Sequence, residues 1–247
     1  MIAIARADLR RMLRRRGLVL TGLLAPAGIA LAIAATVQIL HVVNPTEHPT
    51  AGGEALLDLA AFVTLVSMVF GTVIGAMFGA EDVANGTLRY ILLTGCSRLR
   101  LYLIRIPLVA LVAIAVGLPA LVILVVGAFV LPHAGVPGPS GSAIREQLLI
   151  LIITVGVYAL IAYGIGSAIR STGGAIAVAL GLNLVGLNLI GTVTLVLPSA
   201  EPWLLNSAIS RVTVGGDTSL AVAVLAIVVW VAVFLALGLV RALRTEA

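Results

Sequence analysis

The sequence predicts an all-α polytopic membrane protein with six transmembrane helices, on three observations. Of its 247 residues, 61% are hydrophobic and only 10% charged, whereas soluble chains are about half apolar and a quarter charged. Six apolar stretches recur along it, each near the ~20 residues that cross a bilayer as a helix. Its charged residues crowd into the intervals between those stretches. A soluble domain of this size has too little interior to hide that much apolar surface, so lipid is the expected solvent. Residues 1–247 then form a single transmembrane domain, with no room for a second, soluble one.

The N-terminal segment, residues 1–17, reads as an amphipathic interfacial helix. Ile2, Ala5, Leu9, Met12 and Leu13 fall on one helical face, and Arg6, Arg10, Arg11, Arg14 and Arg15 occupy the opposite side. Such a helix lies along an anionic leaflet, and Arg10, Arg11 and Arg14 are its candidate headgroup or partner contacts. The six spans follow at about 18–40, 56–80, 106–131, 148–169, 175–197 and 220–240. None carries an ionisable residue through its middle, and none shows the alternation of barrel strands, so backbone satisfaction in lipid demands helices. Pro26, Pro107 and Pro119 fall inside spans, where neighbouring helices tolerate a kink. The first span runs past the usual length of a signal-peptide core, so an uncleaved span is expected in preference to cleavage near Ala32-Ile33-Ala34.

Arginine distribution orients the bundle. Thirteen of the fifteen basic residues fall in one alternating set of intervals, with Arg145 and Arg211 alone in the other. The positive-inside rule puts both termini in the cytoplasm of a bacterial plasma membrane. The acids lean outward, with Glu47, Glu54, Asp58, Glu146, Glu201 and Asp217 on the external side. The outer segments 41–55, 132–146 and 198–219 are rich in Pro and Gly and read as irregular. Inside, residues 81–102 form the long cytoplasmic loop, and Arg170–Gly174 a tight turn.

Every basic residue is arginine. Without lysine the chain has no P-loop of the GxxxxGK[ST] kind and no Schiff-base nucleophile. The lone Cys96 makes no internal disulfide and no soft metal site, and no metal or other cofactor is expected on this chain. Nor is nucleic acid an expected partner, since the arginines flank apolar spans. His41, His48 and His133 are scattered over outer segments. Gly164-Ile-Gly-Ser167 lacks the GxSxG order, and no histidine lies in a span to activate a serine.

Three further segments draw attention. Gly71, Gly75 and Gly79 form a row of small residues on the second span, suited to close packing within the bundle or to a dimer face. Thr64, Ser67 and Thr72 share that span, and Asn183 and Asn188 lie on the fifth. Amides in lipid face the protein interior, as interhelical glue or lining a substrate path. The third segment is the cytoplasmic loop. Glu81 and Asp82 are an acidic pair on the arginine-rich side, Gly86 offers a backbone break, and Thr87 suits a helix cap. Leu88, Ile91, Leu92 and Leu99 then make an apolar stripe flanked by Arg89, Arg98 and Arg100. A short amphipathic helix of this kind fits either a groove in a soluble partner or the membrane surface.

This loop resembles the signature of the type-2 ABC exporter permease family: an acidic residue closing the second span, then Gly-Thr-Leu, an apolar run and Ser-Arg. Here those are Glu81, Gly86-Thr87-Leu88, Ile91-Leu92-Leu93-Thr94 and Ser97-Arg98. The interfacial helix, six spans and longer last outer segment agree with it over the full length. Cys96 stands where many relatives have Pro or a small apolar residue, and Arg105 where a lysine often opens the third span. The resemblance implies a non-catalytic membrane subunit of an ATP-driven exporter, paired with a second permease copy as homodimer or heterodimer. It implies docking of a separate ATP-binding subunit, carrying ATP and Mg, through residues Glu81 to Arg98 as a coupling helix. Two other classes are weighed beside it. An ion-gradient transporter or channel would keep ionisable groups near the midplane, and an enzyme acting on lipid would need clustered carboxylates, histidines or a nucleophile at one interface.

Overall fold

The computed structural model describes residues 10, 16–47, 50–86, 93, 97–131, 138–169, 171–186, 192, 197–214 and 219–244. Among them every regular element is helical. The helices are α1 (Arg16–Val43), α2 (Glu54–Asp58), α3 (Ala60–Ala84), α4 (Arg98–Val130), α5 (Gly141–Ala168), α6 (Thr172–Gly181), α7 (Leu205–Val214) and α8 (Leu220–Arg244). A π-helical turn, Leu182–Gly186, continues α6, and a 3-10 helix, Pro198–Trp203, precedes α7. Among the described residues five segments are long and apolar enough to cross a membrane: α1, α2 with α3, α4, α5 and α8. Within the expected span at 175–197 the described residues form a shorter apolar helical segment, Thr172–Gly186, and of residues 187–197 only Thr192 and Leu197 are described.

Burial ranks the helices. Of the long helices α5 and the α2–α3 segment are the most buried, and α1 and α8 the least. The α3–α5 pair is therefore the centre, with α1 and α8 on the flanks and α4 packed on both central helices. Flanking helices keep large apolar side chains on the outside, among them Leu24, Leu31, Val228 and Leu237, the arrangement expected where lipid tails are the solvent. Gly164 and Gly238 let α5 and α8 touch backbone to backbone.

At the end of the bundle away from most arginines, the chain is pinned by capping. Glu54 Oε1 accepts from Ser140 Oγ at 2.8 Å and from its backbone N–H at 3.3 Å, while Ser140 Oγ accepts from Ala143 N–H at 3.2 Å. The first turn of α5 thus has a capping side chain held by a second one. Gly53 adopts a left-handed φ of 73° and donates to Ala128 O at 2.8 Å, tucking residues 51–53 onto the end of α4.

Two expectations are corrected. The segment 198–219 is not irregular throughout. Leu205, Ala208, Ile209 and Val212 recur at helical spacing and place an apolar face of α7 against α8 and α5. Trp230 Nε1 donates to Trp203 O at 2.9 Å, and Arg211 pairs with Glu201 at 2.8 Å, so the 3-10 helix and α7 are tied into the bundle. Second, the long helices overrun the bounds read from hydropathy. The second ends at Ala84 rather than 80, and the third begins at Arg98 rather than 106. Backbone hydrogen bonding, not side-chain polarity, sets where a helix stops.

Candidate functional site

The interval between α3 and α4 is bounded by two devices. At its start Asn85 N–H donates to Glu81 O at 2.9 Å and Gly86 N–H to Val83 O at 3.2 Å, with Gly86 at a left-handed φ of 65°. This is the usual glycine stop of an α-helix. At its end Ser97 is the N-cap of α4, its Oγ accepting from Arg100 N–H at 3.3 Å. Between them Leu93 is helical and 77% exposed. Thr87, Leu88 and Arg89 lie outside the described residues, as do Arg11, Arg14 and Asn188. Arg10 is described and exposed.

Glu81 and Asp82 are not part of that loop. Both sit in the last turns of α3 and are buried, Asp82 being 4% exposed. The reason is a partner on the neighbouring helix. Arg105 Nη1 lies 2.5 Å from Asp82 Oδ2, and Arg105 is 6% exposed. Two charges removed from water at one place require each other, because either alone is costly in a low-dielectric interior.

Around this pair the ends of four helices converge. The Tyr102 and Tyr163 rings lie 5.0 Å apart, Tyr163 Oη donates to Tyr102 O at 3.1 Å, and Tyr102 Oη donates to Leu235 O at 2.8 Å. Ser167 Oγ donates back to Tyr163 O at 2.9 Å. Arg98 reaches across to α8, donating from Nη1 to Leu243 O at 3.2 Å. The cluster encloses a cavity of only about 50 Å³ lined by Gly79, Asp82, Arg98, Tyr102, Arg105 and Tyr163 among others. It is a tie between α3, α4, α5 and α8, with space for one or two waters.

The glycine row meets the same central helix. A methyl group at Gly75 would land on the Ala159 carbonyl, one at Gly79 on the Tyr163 carbonyl, and one at Gly71 2.9 Å from Val155 Cγ1. Gly166 on α5 reciprocates against the Ala76 backbone. The row therefore serves the α3–α5 contact within one chain, and it runs up to the Asp82–Arg105 pair.

The remaining candidates separate. Ser67 Oγ donates to Val63 O at 2.7 Å within its own helix, and Thr64 is buried beside it. Asn183, on the π-helical turn, donates from Nδ2 to Thr72 Oγ1 at 2.7 Å, linking the turn to α3. Asn183 also lines a second cavity of about 330 Å³ between α3, α5, the π-helical turn and α7, which Thr64 and Ser67 do not line. Tyr158, Asn206 and Ser210, absent from the sequence reading, line it too. Tyr158 Oη donates to Asn206 Oδ1. The available signal was the i, i+4 spacing of Asn206 and Ser210 on α7, masked by the surrounding Pro and Gly.

Among the described residues there is no group of three or more His, Cys, Asp or Glu arranged to hold a metal. Compared with known proteins, the chain matches no family model, and no curated protein matches it in sequence.

Proposed function

We propose that this chain is the membrane-spanning permease subunit of an ATP-driven exporter. It works beside a second permease copy and takes its power from a separate P-loop ATPase docked on residues 85–97. Both termini lie in the cytoplasm, six spans cross the bacterial plasma membrane, and ATP and Mg belong to the partner. The observation that carries this reading is the construction of the loop's two roots. Gly86 and Ser97 delimit a short segment at the arginine-rich end. Immediately behind it Asp82 on α3 and Arg105 on α4 are clamped together. A segment projecting from one helix alone would bend when pushed. With its roots joined through a buried ion pair, and with Arg98 tied to the last turn of α8, displacement of the loop passes to several helices together. That is the property a coupling segment needs.

The lack of lysine supports a motor on another chain, since no P-loop can form here. The ion-gradient reading is weakened by position. Asp82 and Arg105 lie near the arginine-rich ends of their helices rather than at mid-length. A lipid enzyme has little to draw on, as the carboxylates of this site are held in structural contacts.

Orientation is checked by labelling intact cells with a membrane-impermeant maleimide. A Glu201→Cys variant is expected to react on whole cells, while Cys96, the single native cysteine, reacts only after lysis. Reaction of Cys96 on intact cells would reverse the topology. Partnership is checked by coexpressing the chain with candidate P-loop ATPases from the same genome. One of them is expected to copurify with it in detergent, and a Leu88→Glu variant to lose most of the bound ATPase. Failure of the native chain to copurify with any of them would remove the reading.

A further inference from the structure

Where α8 runs past the end of α5, the surface carries an apolar groove that finishes in two arginines. Gly164 and Gly238 bring the two helices into backbone contact. Just beyond this crossing α5 stops at Ala168, while α8 continues to Arg244. The step leaves an open groove of about 740 Å³, within the roughly 300–1,000 Å³ of small-molecule sites. Ala168 on one side and Val233, Leu237 and Val240 on the other line its length, and Arg241 and Arg244 line its end. Steps of four, three and four residues put Val233, Leu237, Val240 and Arg244 on one helical face, and Arg241 follows Leu237 by four. All five of these α8 side chains are exposed.

Length and charge describe the occupant. From Val233 to Arg244 the helix rises about 17 Å at ~1.5 Å per residue, close to half the ~30 Å hydrocarbon core. An acyl chain whose headgroup meets the arginines therefore reaches the level of Val233 near the bilayer midplane. Arginines near a helix C-terminus complement its dipole, but any face of the last turn would serve that purpose. Here both lie on the face that bears the groove, and a guanidinium pairs bidentately with phosphate. The same turn is held in place by Arg98, which donates to Leu243 O at 3.2 Å. A second copy of this chain fits the groove poorly, because a two-fold axis along the membrane normal would set the arginines against their own copies at one depth. We propose that the groove holds one anionic phospholipid from the leaflet at the arginine-rich end. Its phosphate sits on Arg241 and Arg244, and an acyl chain lies along Val233, Leu237 and Val240. This goes beyond the transport reading and does not rest on it, because one chain in a bilayer suffices for binding.

The test is photolabelling of the purified full-length chain in nanodiscs, with phosphatidylglycerol or phosphatidylcholine carrying the same diazirine midway along an acyl chain. Adducts are read by peptide mass spectrometry on the segment 233–240. Phosphatidylglycerol is expected to label it at least about fivefold more than phosphatidylcholine, the factor that one arginine near a membrane surface supplies. At the opposite end of α4, where Val122, Val126 and Phe129 are exposed, the two lipids should label alike. In Arg241→Gln with Arg244→Gln the preference on 233–240 should fall to about one, with phosphatidylcholine labelling retained. Leu243→Arg with Arg244→Leu keeps the net charge at the same depth but moves one guanidinium off the groove face, and should at least halve the preference. Equal labelling of 233–240 by the two lipids in the native chain would overturn the proposal, as would an equal preference at the far end of α4. So would a preference unchanged by the Leu243–Arg244 exchange, which would mean attraction to surface charge alone. Should the double Gln variant not fold, the exchange decides by itself.

Discussion

Asp82→Ala is expected to cost about 3–5 kcal/mol of folded-state stability, because it strands Arg105 as an uncompensated charge in the bundle. Arg105 is 6% exposed and sits 2.5 Å from the carboxylate it would lose. Replacing both partners should be far milder. In Asp82→Ala with Arg105→Leu no charge remains to be desolvated, and most of the stability is expected to return. Thermal unfolding in detergent, followed by the folded fraction on size exclusion, measures both. A single Asp82→Ala protein melting with the native chain would show that the pair is solvated. The double variant also separates structure from coupling. It should fold and bind the ATPase, yet pass ATPase movement to the spans poorly, since α3 and α4 would no longer be clamped at the loop's roots.

The second large effect is expected at Gly75. Its α-carbon faces the Ala159 carbonyl so closely that any β-carbon would occupy the same space. Gly75→Ala must therefore part α3 and α5, the two most buried helices. The expected loss is at the upper end of the roughly 1–3 kcal/mol of overpacked cores. Gly75→Leu is expected to leave no folded bundle. Gly28→Ala on α1 serves as the contrast, because nothing lies within 4 Å of a methyl group there. Exchanging a helical glycine for alanine at such an open place is expected to gain up to about 1 kcal/mol. If the two alanine variants melt together, the close α3–α5 contact is not a determinant of stability.

What could be read from the sequence was whatever depends on local chemistry or on composition. Apolar runs give helices because lipid leaves the backbone no other partner, and Gly86 marks a backbone break through its own conformational freedom, whereas the cap at Ser97 was not assigned from the sequence. The residues that were misjudged depend on a distant partner. Asp82 reads as a solvated loop acid until Arg105 is placed against it from the next helix. Gly71, Gly75 and Gly79 are visible as a small-residue row, but their surface is completed by Gly166, which in sequence suggests only part of an incomplete hydrolase motif. Asn183 meets Thr72 across more than a hundred residues, and its cavity is closed by α7. That helix was hidden because Pro198, Pro202 and the glycines after Val214 dominate the local signal. Hydropathy likewise placed helix ends at the first charge, whereas α3 carries buried charges in its last turns and α4 carries one near its start.

The central claim is that the segment between Gly86 and Ser97 meets a separate ATPase. It is tested most directly by a photoreactive amino acid at Leu93, which is 77% exposed, in membranes where the chain is coexpressed with candidate P-loop ATPases from the same genome. The expected result is a single crosslinked species containing both chains, mapped on the partner to a surface groove, and absent when the reactive residue is moved to Leu24 on the lipid-facing side of α1. Crosslinks from Leu93 to lipid alone, with the ATPase unretained, would contradict the account.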